Sequence, residues 1–282
     1  MPWHLTESLD EFTAAADDWL RADPVRRTVP LTVLESLRQR GPSVYGEDPP
    51  IFGWHERAPG AVDGAFLRTP PFPLLVAGLP AESAGALLEL LRARGAAQTA
   101  ANLPEPDAAG FAAAWLSATG GDAEISDRSR LFRLADLIAP DPVPPGTARI
   151  ATEADRDLLV RWHQEFTAEA TPREGENQEA LVDDRLSHRG LTLWEADGRP
   201  VAMAGLTRTV AGVARVSGVY TPPAHRRHGF GGGVTAAVSR QALDAGAGAV
   251  VLYTDLANPT SNALYPRLGY RRVEDRVLLQ LR

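Results

Sequence analysis

The sequence contains no cysteine and no lysine, and each absence excludes whole classes of chemistry. Without cysteine, the 282-residue chain can form no disulfide, thiolate nucleophile, iron–sulfur cluster or cysteine-bound metal site. Without lysine, it has no amine for a Schiff base, including one with pyridoxal phosphate, and no P-loop lysine. His4, His55, His163 and His188 show no metal-ligand spacing, so we expect no metal site.

Long apolar runs are also missing, because no stretch approaches the roughly 18 residues that a membrane-spanning helix needs. Residues 1–7 lack the basic segment and apolar core that mark a secretory signal. We therefore expect a cytoplasmic protein that does not bind a membrane.

Positive charge is scarce overall, since 36 acidic side chains outnumber 29 basic ones. Residues 1–146 carry a net charge of −8, whereas residues 147–282 carry +1. A chain without a basic stripe is a poor nucleic-acid ligand, because phosphate contacts supply most of that affinity. The acidic half is consistent with solubility alone or with attraction of a cationic substrate, and the sequence leaves both readings open.

A proline-rich segment divides the chain nearly in half. Residues 140–146 contain four prolines in seven positions, which neither a helix nor a central strand tolerates. We interpret this segment as a stiff linker between two domains, 1–139 and 147–282. A length of 282 residues agrees with two domains, at about 150 residues each.

Apolar periodicity and turn residues predict the same order of elements in both halves. In the second half, Thr152 caps the first of the predicted helices, 153–168, 178–187, 231–245 and 258–269, and the strands are 191–196, 200–210, 213–221, 250–253 and 270–281. In the first half, the predicted helices are 5–21, 31–39, 81–94 and 107–117, and the strands are 51–56, 64–68, 74–77, 96–101 and 129–137. The order α-α-β-β-β-α-β-α-β indicates two copies of one fold.

The segment 219–233 follows a predicted strand and opens a predicted helix. It contains two arginines and four glycines: Arg226, Arg227, Gly229, Gly231, Gly232 and Gly233. Glycines let the backbone approach a ligand closely, and the free N–H groups of a helix N-terminus point at an anion. Arginines add charge and forked donors for phosphate oxygens, so the pattern indicates a pyrophosphate site. A Rossmann loop would follow the first strand of a parallel unit, whereas this loop follows three strands joined by tight turns.

The spacing Arg226-x-x-Gly229-x-Gly231 resembles the acyl-CoA loop of the GNAT superfamily of N-acetyltransferases. A second stretch, 253–270, resembles another GNAT signature, in which an Asn after the fifth strand precedes a helix with Asn, Ala and Tyr that ends in Leu-Gly-Tyr. The element order of residues 147–282 also matches the GNAT fold. The resemblance covers the whole second half.

The resemblance implies a role for each residue of these motifs. Backbone groups pair with the pantetheine arm at Val219, Tyr220 and Thr221, and the loop that holds the pyrophosphate comprises Arg226, Arg227, His228, Gly229, Phe230, Gly231 and Gly232. Asn258 contacts pantetheine, while Asn262 either contacts the ligand or supports its helix. The backbone N–H of Val219 binds the thioester oxygen, and Tyr265 protonates the leaving thiolate. A phenol suits that task, since a pKa near 10 keeps it protonated at neutral pH.

The general base is where the sequence departs from the family pattern. Many members place a glutamate two residues before the Val219 position, but Ser217 stands there in this chain. A hydroxyl is too weak a base, although it can hold a water. Glu165, Glu169 and Glu195 are alternatives by region only, and a chain of waters to bulk solvent is another.

The resemblance implies an α/β (α+β) protein with two GNAT-like domains in tandem, each a mixed, mostly antiparallel central sheet flanked by helices. Residues 1–139 contain no Arg-x-x-Gly-x-Gly pattern, and Glu82 in the corresponding loop would repel phosphate. We therefore interpret 1–139 as a degenerate domain without a CoA loop, 140–146 as the linker and 147–282 as the catalytic domain.

The implied function is transfer of an acetyl group from acetyl-CoA to a primary amine of a small molecule, by direct attack on the thioester. One alternative, motivated by Ser217, is a CoA-binding sensor or regulatory protein without catalysis. A further alternative is an inert interaction module, which the intact loop disfavours. The acceptor and the oligomeric state stay open, with a homodimer as one option.

Overall fold

A computed structural model of the chain describes residues 2–96, 98–169 and 177–282. The chain divides into two compact units, which we call unit 1 (Met1–Arg130 with Glu274–Arg282) and unit 2 (Leu131–Val273). This division does not follow the proline-rich segment. Residues 140–146 lie inside unit 2, and the C-terminal residues belong to unit 1 with the N-terminal half.

Unit 1 contains four helices and most of seven strands among its described residues. They are β1 (Trp3–Thr6), α1 (Leu9–Ala22), α2 (Thr28–Arg40), β2 (Ile51–Ala58), β3 (Ala61–Arg68), β4 (Leu74–Gly78), α3 (Ala84–Ala93), β5 (Ala100–Pro104), α4 (Ala108–Thr119), the first part of β6 (Ala123–Leu134) and the end of the last strand of the chain. Unit 2 contains the end of β6, then β7 (Thr147–Ile150), α5 (Arg156–Glu169), α6 (Gln178–Ser187), β8 (Leu191–Ala196), β9 (Arg199–Leu206), β10 (Val213–Tyr220), α7 (Phe230–Asp244), β11 (Ala249–Asp255), α8 (Pro259–Arg267) and the start of β12 (Tyr270–Leu281).

The two units have the same pattern of strand pairing. In unit 1 the order is β1-β2-β3-β4-β5-β12, with antiparallel pairs except for the parallel pair β4 and β5. In unit 2 the order is β7-β8-β9-β10-β11-β6, and β10 and β11 form the parallel pair. The predicted fold class, a mixed and mostly antiparallel sheet flanked by helices, is therefore confirmed for each unit.

The last strand of each sheet explains why the units differ from the predicted halves. The end of β12 pairs with β5, from Arg276 opposite Pro104 to Gln280 opposite Ala100. Arg130 on β6 holds Asp275 on β12 through two hydrogen bonds of 2.7 and 2.8 Å. The end of β6 lies beside β11 in unit 2. Periodicity identifies such strands but not their partners, because pairing depends on residues far away in the sequence.

Two short strands escaped prediction. The first, β1, pairs with β2, whereas the sequence pattern extended a helix over 5–21. The second, β7, pairs with β8 just after the proline-rich segment. Four residues are too few to establish an alternating pattern. The predicted strand 96–101 corresponds to β5, and its residue Ala97 lies outside the described residues.

An arginine and two cap residues fix the start of α5. Thr152 caps the turn Glu153–Asp155 that leads into this helix, and the Asp155 carboxylate accepts the Thr152 N–H at 2.8 Å. Arg149 on β7 donates two further hydrogen bonds to that carboxylate, at 2.7 and 2.8 Å. The Arg149 hydrogen bonds lower the pKa of Asp155 to about 2, and the Thr152 N–H acts in the same direction. The cap therefore joins β7 to α5.

We predict that Asp155→Ala lowers the free energy of unfolding by about 1–2 kcal/mol at pH 7, because it removes a cap and a bidentate ion pair. A depressed pKa stabilises the fold above the unfolded pKa of about 3.9, and the contribution is lost as the pH falls through about 2. The difference between the native protein and the variant should thus shrink between pH 4 and pH 2. Urea unfolding at each pH, followed by circular dichroism, measures this difference in the free energy of unfolding. Glu153→Gln changes an exposed carboxylate of the same turn and is the control; an equal loss in both variants would contradict the assignment.

Candidate functional site

One extra residue interrupts β10 in the middle of unit 2. Ser217 lies opposite Gly205 of β9, but Tyr220 lies opposite Met203, so three steps on β10 match two on β9. Gly218 has a φ of +58°, a conformation that glycine adopts without strain. The strand therefore contains a β-bulge at Gly218 and Val219.

The bulge reverses the faces of the residues that follow it. Val216 and Val219 both pack on the apolar cluster that α7 and α8 cover. Tyr220 instead packs with Trp162 and Leu193 in the cluster that α5 and α6 cover. Strict alternation would have placed Val219 and Tyr220 the other way round. The bulge thus leaves backbone groups unpaired at Gly218 and Val219, where the sequence predicts the thioester.

The predicted pyrophosphate loop runs from the end of β10 to the first turn of α7. Thr221 follows the strand, and Gly229, with a φ of +79°, caps the helix. The first N–H groups of α7, at Phe230, Gly231 and Gly232, have no partner within the helix. A Cβ at Gly231 would meet only the Thr221 hydroxyl, at 3.5 Å, so the space beside this glycine is open.

The glycines of this helix have different tasks. Gly232 approaches Leu264 of α8, where a Cβ would stand 3.3 Å from its Cδ1. At Gly233 a Cβ would come within 2.8 Å of Pro144 and 3.0 Å of Trp194. Gly233 therefore allows close packing of the proline-rich segment, while Gly231 leaves room for a ligand.

The predicted basic side chains of the loop are exposed. The Arg226 guanidinium donates to both oxygens of Glu169 on α5, at 2.6 and 2.7 Å, and to the carbonyl of Thr221 at 2.9 Å. His228 stacks on Phe230 with ring centroids 5.6 Å apart, and Arg227 has a φ of +66°. Arg226 thus ties the loop to α5.

The loop between β11 and α8 is held by two asparagines. The Asn258 side chain accepts the Ser261 N–H at 3.1 Å and caps α8. The Asn262 amide donates to the carbonyls of Asp255 and Asn258, at 2.8 and 2.7 Å. Its own carbonyl oxygen is buried and has no partner among the described residues. Asn262 therefore supports the turn and still has an acceptor to offer.

Tyr265 is a buried phenol on α8. Its ring contacts Phe132 and Tyr270, with centroids 6.2 and 6.0 Å away. Burial raises the pKa of Tyr265 to about 12, although a hydrogen bond with Ser261 acts in the opposite direction. The phenol is therefore protonated throughout the physiological range. Val219 packs on the same apolar cluster as Tyr265, so the two predicted catalytic residues belong to one region of unit 2.

The carboxylates considered as bases all have partners. Glu165 accepts a hydrogen bond from the Tyr220 hydroxyl at 3.0 Å, and Glu169 is paired with Arg226. Glu195 lies 2.7 Å from Arg149. The Ser217 hydroxyl accepts a hydrogen bond of 3.3 Å from Arg185 on α6.

From the sequence, His163 was examined only as a possible metal ligand, and its spacing excluded that role. The structure places its side chain against the bulge. The imidazole is 5% exposed, and a Cβ at Gly218 would stand 2.8 Å from its Cε1. Burial, and then the charge of Arg185, lower the pKa of His163 to about 4. The sequence feature that could have pointed to His163 is its position on the apolar face of α5, beside Leu159 and Trp162.

In unit 1 the segment between β4 and α3 is short. It spans residues 79–83, where the backbone of Ser83 closes a turn with Pro80 and accepts the Trp3 indole N–H at 3.0 Å. Glu82 is exposed with a φ of +63°. Among the described residues of the chain, no helix is long and apolar enough to cross a membrane.

Residues 154–270 match a family model described as the acetyltransferase (GNAT) family. A mycothiol acetyltransferase from Catenulispora acidiphila is 30% identical over 184 residues, which are 60% of this chain and 58% of that protein. The match thus spans less than two thirds of the length of this relative.

Solved structures show the same architecture over most of the chain. A GCN5-related N-acetyltransferase from Kribbella flavida superposes with a TM-score of 0.58 at 24% identity, covering 91% of this chain and 95% of that one. A tandem GNAT protein from the clavulanic acid biosynthesis pathway superposes with a TM-score of 0.53 at 16% identity, covering 98% and 97%. At these identities the likeness concerns the fold alone. The resemblance of the two motifs is confirmed: the chain carries a domain of the acetyltransferase (GNAT) family, which contains the β10 bulge, the glycine loop and α8.

Proposed function

We propose that this chain is an acetyl-CoA-dependent N-acetyltransferase that acetylates a primary amine of a small molecule, with its active site in unit 2. The observation that carries the proposal is the bulge at Gly218 and Val219, with the open start of α7 downstream of it and a buried phenol on α8. An acyl carrier with an anionic end and a thioester end matches these three features.

The glycine loop is the proposed site for the pyrophosphate of acetyl-CoA. The N–H groups from Arg227 to Gly232 would hold its oxygens, with the helix dipole of α7 adding favourable potential. The backbone of Val219, Tyr220 and Thr221 would pair with the pantetheine arm, as an added strand pairs with a sheet edge. Asn258 and the unpartnered carbonyl oxygen of Asn262 would complete the contacts.

The proposed reaction is a direct attack of the amine on the thioester. The nitrogen forms a bond to the carbonyl carbon, the C–S bond breaks, and the amine loses one proton. The Val219 N–H would stabilise the negative charge that develops on the oxygen. Tyr265 would give its proton to the leaving thiolate, and its raised pKa keeps that proton available. A chain without cysteine has no thiol to form an acyl-enzyme.

The acceptor is proposed only as a class. The relative named a mycothiol acetyltransferase supports a small amine-bearing metabolite. Amino acid derivatives, polyamines and aminosugar antibiotics are the other members of this class. A panel of alanine amide, spermidine, kanamycin, glucosamine and mycothiol lacking its acetyl group, assayed by release of free CoA thiol, tests the proposal. No release with any of them, at saturating acetyl-CoA, would favour the alternative of a CoA-binding sensor.

We predict that Gly231→Glu abolishes acetyl-CoA binding, because a carboxylate would fill the open space beside Thr221 and repel the pyrophosphate. Isothermal titration calorimetry of the native protein should give one site per chain. Gly85→Glu is the matched control, since Gly85 is the second residue of α3 as Gly231 is of α7, with nothing within 4 Å of its Cβ position. Loss of a site in Gly85→Glu would mean that unit 1 binds the cofactor, and full affinity in Gly231→Glu would place the pyrophosphate elsewhere.

We predict that Tyr265→Phe lowers kcat about 100-fold, the usual scale of general acid catalysis, and leaves the Kd of acetyl-CoA within about twofold. Stopped-flow or steady-state thiol release measures kcat, and calorimetry measures Kd. Tyr270→Phe removes a buried phenol of the same cluster, which is hydrogen-bonded to Ser239 at 2.7 Å. This control should lose stability but keep kcat. Equal kcat in Tyr265→Phe and the native protein would remove Tyr265 from the acid role.

A further inference from the structure

His163 carries a nitrogen that no described residue of unit 2 satisfies. Its Nε2 is fully buried and has no hydrogen-bond partner among residues 2–96, 98–169 and 177–282. A buried polar atom without a partner costs folding free energy, and native proteins rarely retain one without a function. Phenylalanine would fill the same place on the apolar face of α5 without this cost. The histidine nitrogen is therefore a candidate for a contact with substrate.

The position of the ring connects this nitrogen with the proposed reaction centre. A Cβ at Gly218 would stand 2.8 Å from His163 Cε1, 3.6 Å from Nδ1 and 3.7 Å from Nε2. The next residue, Val219, carries the N–H that we propose for the thioester oxygen. The imidazole edge thus touches the bulge one residue from that N–H.

The groups around His163 keep it neutral. The Arg185 guanidinium on α6 acts on it electrostatically, and burial acts in the same direction. On β10 the Ser217 hydroxyl, one residue before Gly218, is hydrogen-bonded to Arg185. On α5 itself, Glu165 is exposed and bound by Tyr220. A neutral imidazole always offers one nitrogen that accepts a hydrogen bond.

We propose that His163 Nε2 accepts the proton of the attacking amine, the task that a glutamate at the Ser217 position performs elsewhere in the family. This inference rests on the proposed function. It assigns a base to a site in which Ser217 is too weak and Glu165, Glu169 and Glu195 are each held by another side chain.

The step balances as follows. The amine nitrogen forms the C–N bond and its proton passes to His163 Nε2, while the C–S bond breaks and Tyr265 protonates the sulfur. Afterwards the imidazolium loses its proton to solvent and the Tyr265 phenolate regains one, so no other reactant is consumed. Negative charge on the thioester oxygen favours the imidazolium during the step, because an opposite charge nearby raises the pKa of a base.

The test compares His163→Phe with His188→Phe in thiol-release assays with the amine panel. His188 is the matched control, because both of its nitrogens lie near backbone carbonyls, at 2.7 Å from Asp184 and 3.1 Å from Leu206. His163→Phe should lower kcat about 100-fold, keep the Kd of acetyl-CoA and keep or raise Tm. His188→Phe should lower Tm and keep kcat within about threefold.

Rescue by small molecules separates a base from a core residue. Imidazole added to His163→Ala should restore turnover in proportion to its concentration, whereas pyrrole, of the same shape but without a basic nitrogen, should not. The loss of kcat in His163→Phe should also be the same at pH 6 and pH 9, since a pKa of about 4 leaves His163 neutral over that range. His163→Gln provides a second variant if phenylalanine disturbs the fold.

The outcomes distinguish this inference from the proposed function. An active native protein whose His163 variants keep kcat within about twofold would overturn the base and leave the acetyltransferase standing. Loss of kcat that pyrrole rescues as well as imidazole would assign His163 to packing and overturn the base. A native protein that acetylates no amine would overturn the proposed function together with the base.

Discussion

The single extra residue in β10 is the constraint on which the rest of the site depends. It places Val219 on the α7 and α8 side of the sheet and Tyr220 on the α5 and α6 side. A regular strand would continue the ladder with β9 through residues 218 and 219, whereas the bulge interrupts that ladder. Only glycine fits at the bulge, because its φ is positive and a Cβ there would collide with His163. The backbone opening, the glycine and the buried histidine are therefore one feature of unit 2.

Part of the positive charge of the glycine loop is already neutralised within unit 2. Arg226, which the motif assigns to phosphate, forms an ion pair with Glu169. Backbone N–H groups at the start of α7 have no such competitor, and the space beside Gly231 is open. The proposed recognition of pyrophosphate thus depends on backbone donors first and on guanidinium groups second. This order agrees with the excess of acidic side chains in the chain as a whole.

The parts of the candidate site whose structure depends on neighbouring residues could be predicted from the sequence. The glycine loop, the Asn258 cap and the end of α8 depend on neighbouring residues, and each lies where the motifs predicted. The partners of β6 and β12 depend on pairing across the chain, so the boundary at 140–146 did not coincide with the compact units. The only sequence signal of the bulge is the single glycine at position 218. His163 became interpretable when tertiary packing placed it beside that glycine and left its nitrogen without a partner.

Burial shifts the pKa values of the two proposed proton-transfer groups in opposite directions, and each shift holds its group in the neutral form with which the proposed step begins. An apolar environment disfavours the charged form of any group, so it lowers the pKa of His163 to about 4 and raises that of Tyr265 to about 12. Between these two values the histidine is unprotonated and the tyrosine is protonated, as a base and an acid must be before the step. Ser217 accepts a hydrogen bond from the buried Arg185 and carries no charge of its own. Before the step, therefore, neither the proposed base nor the proposed acid adds an unpaired charge to the interior of unit 2.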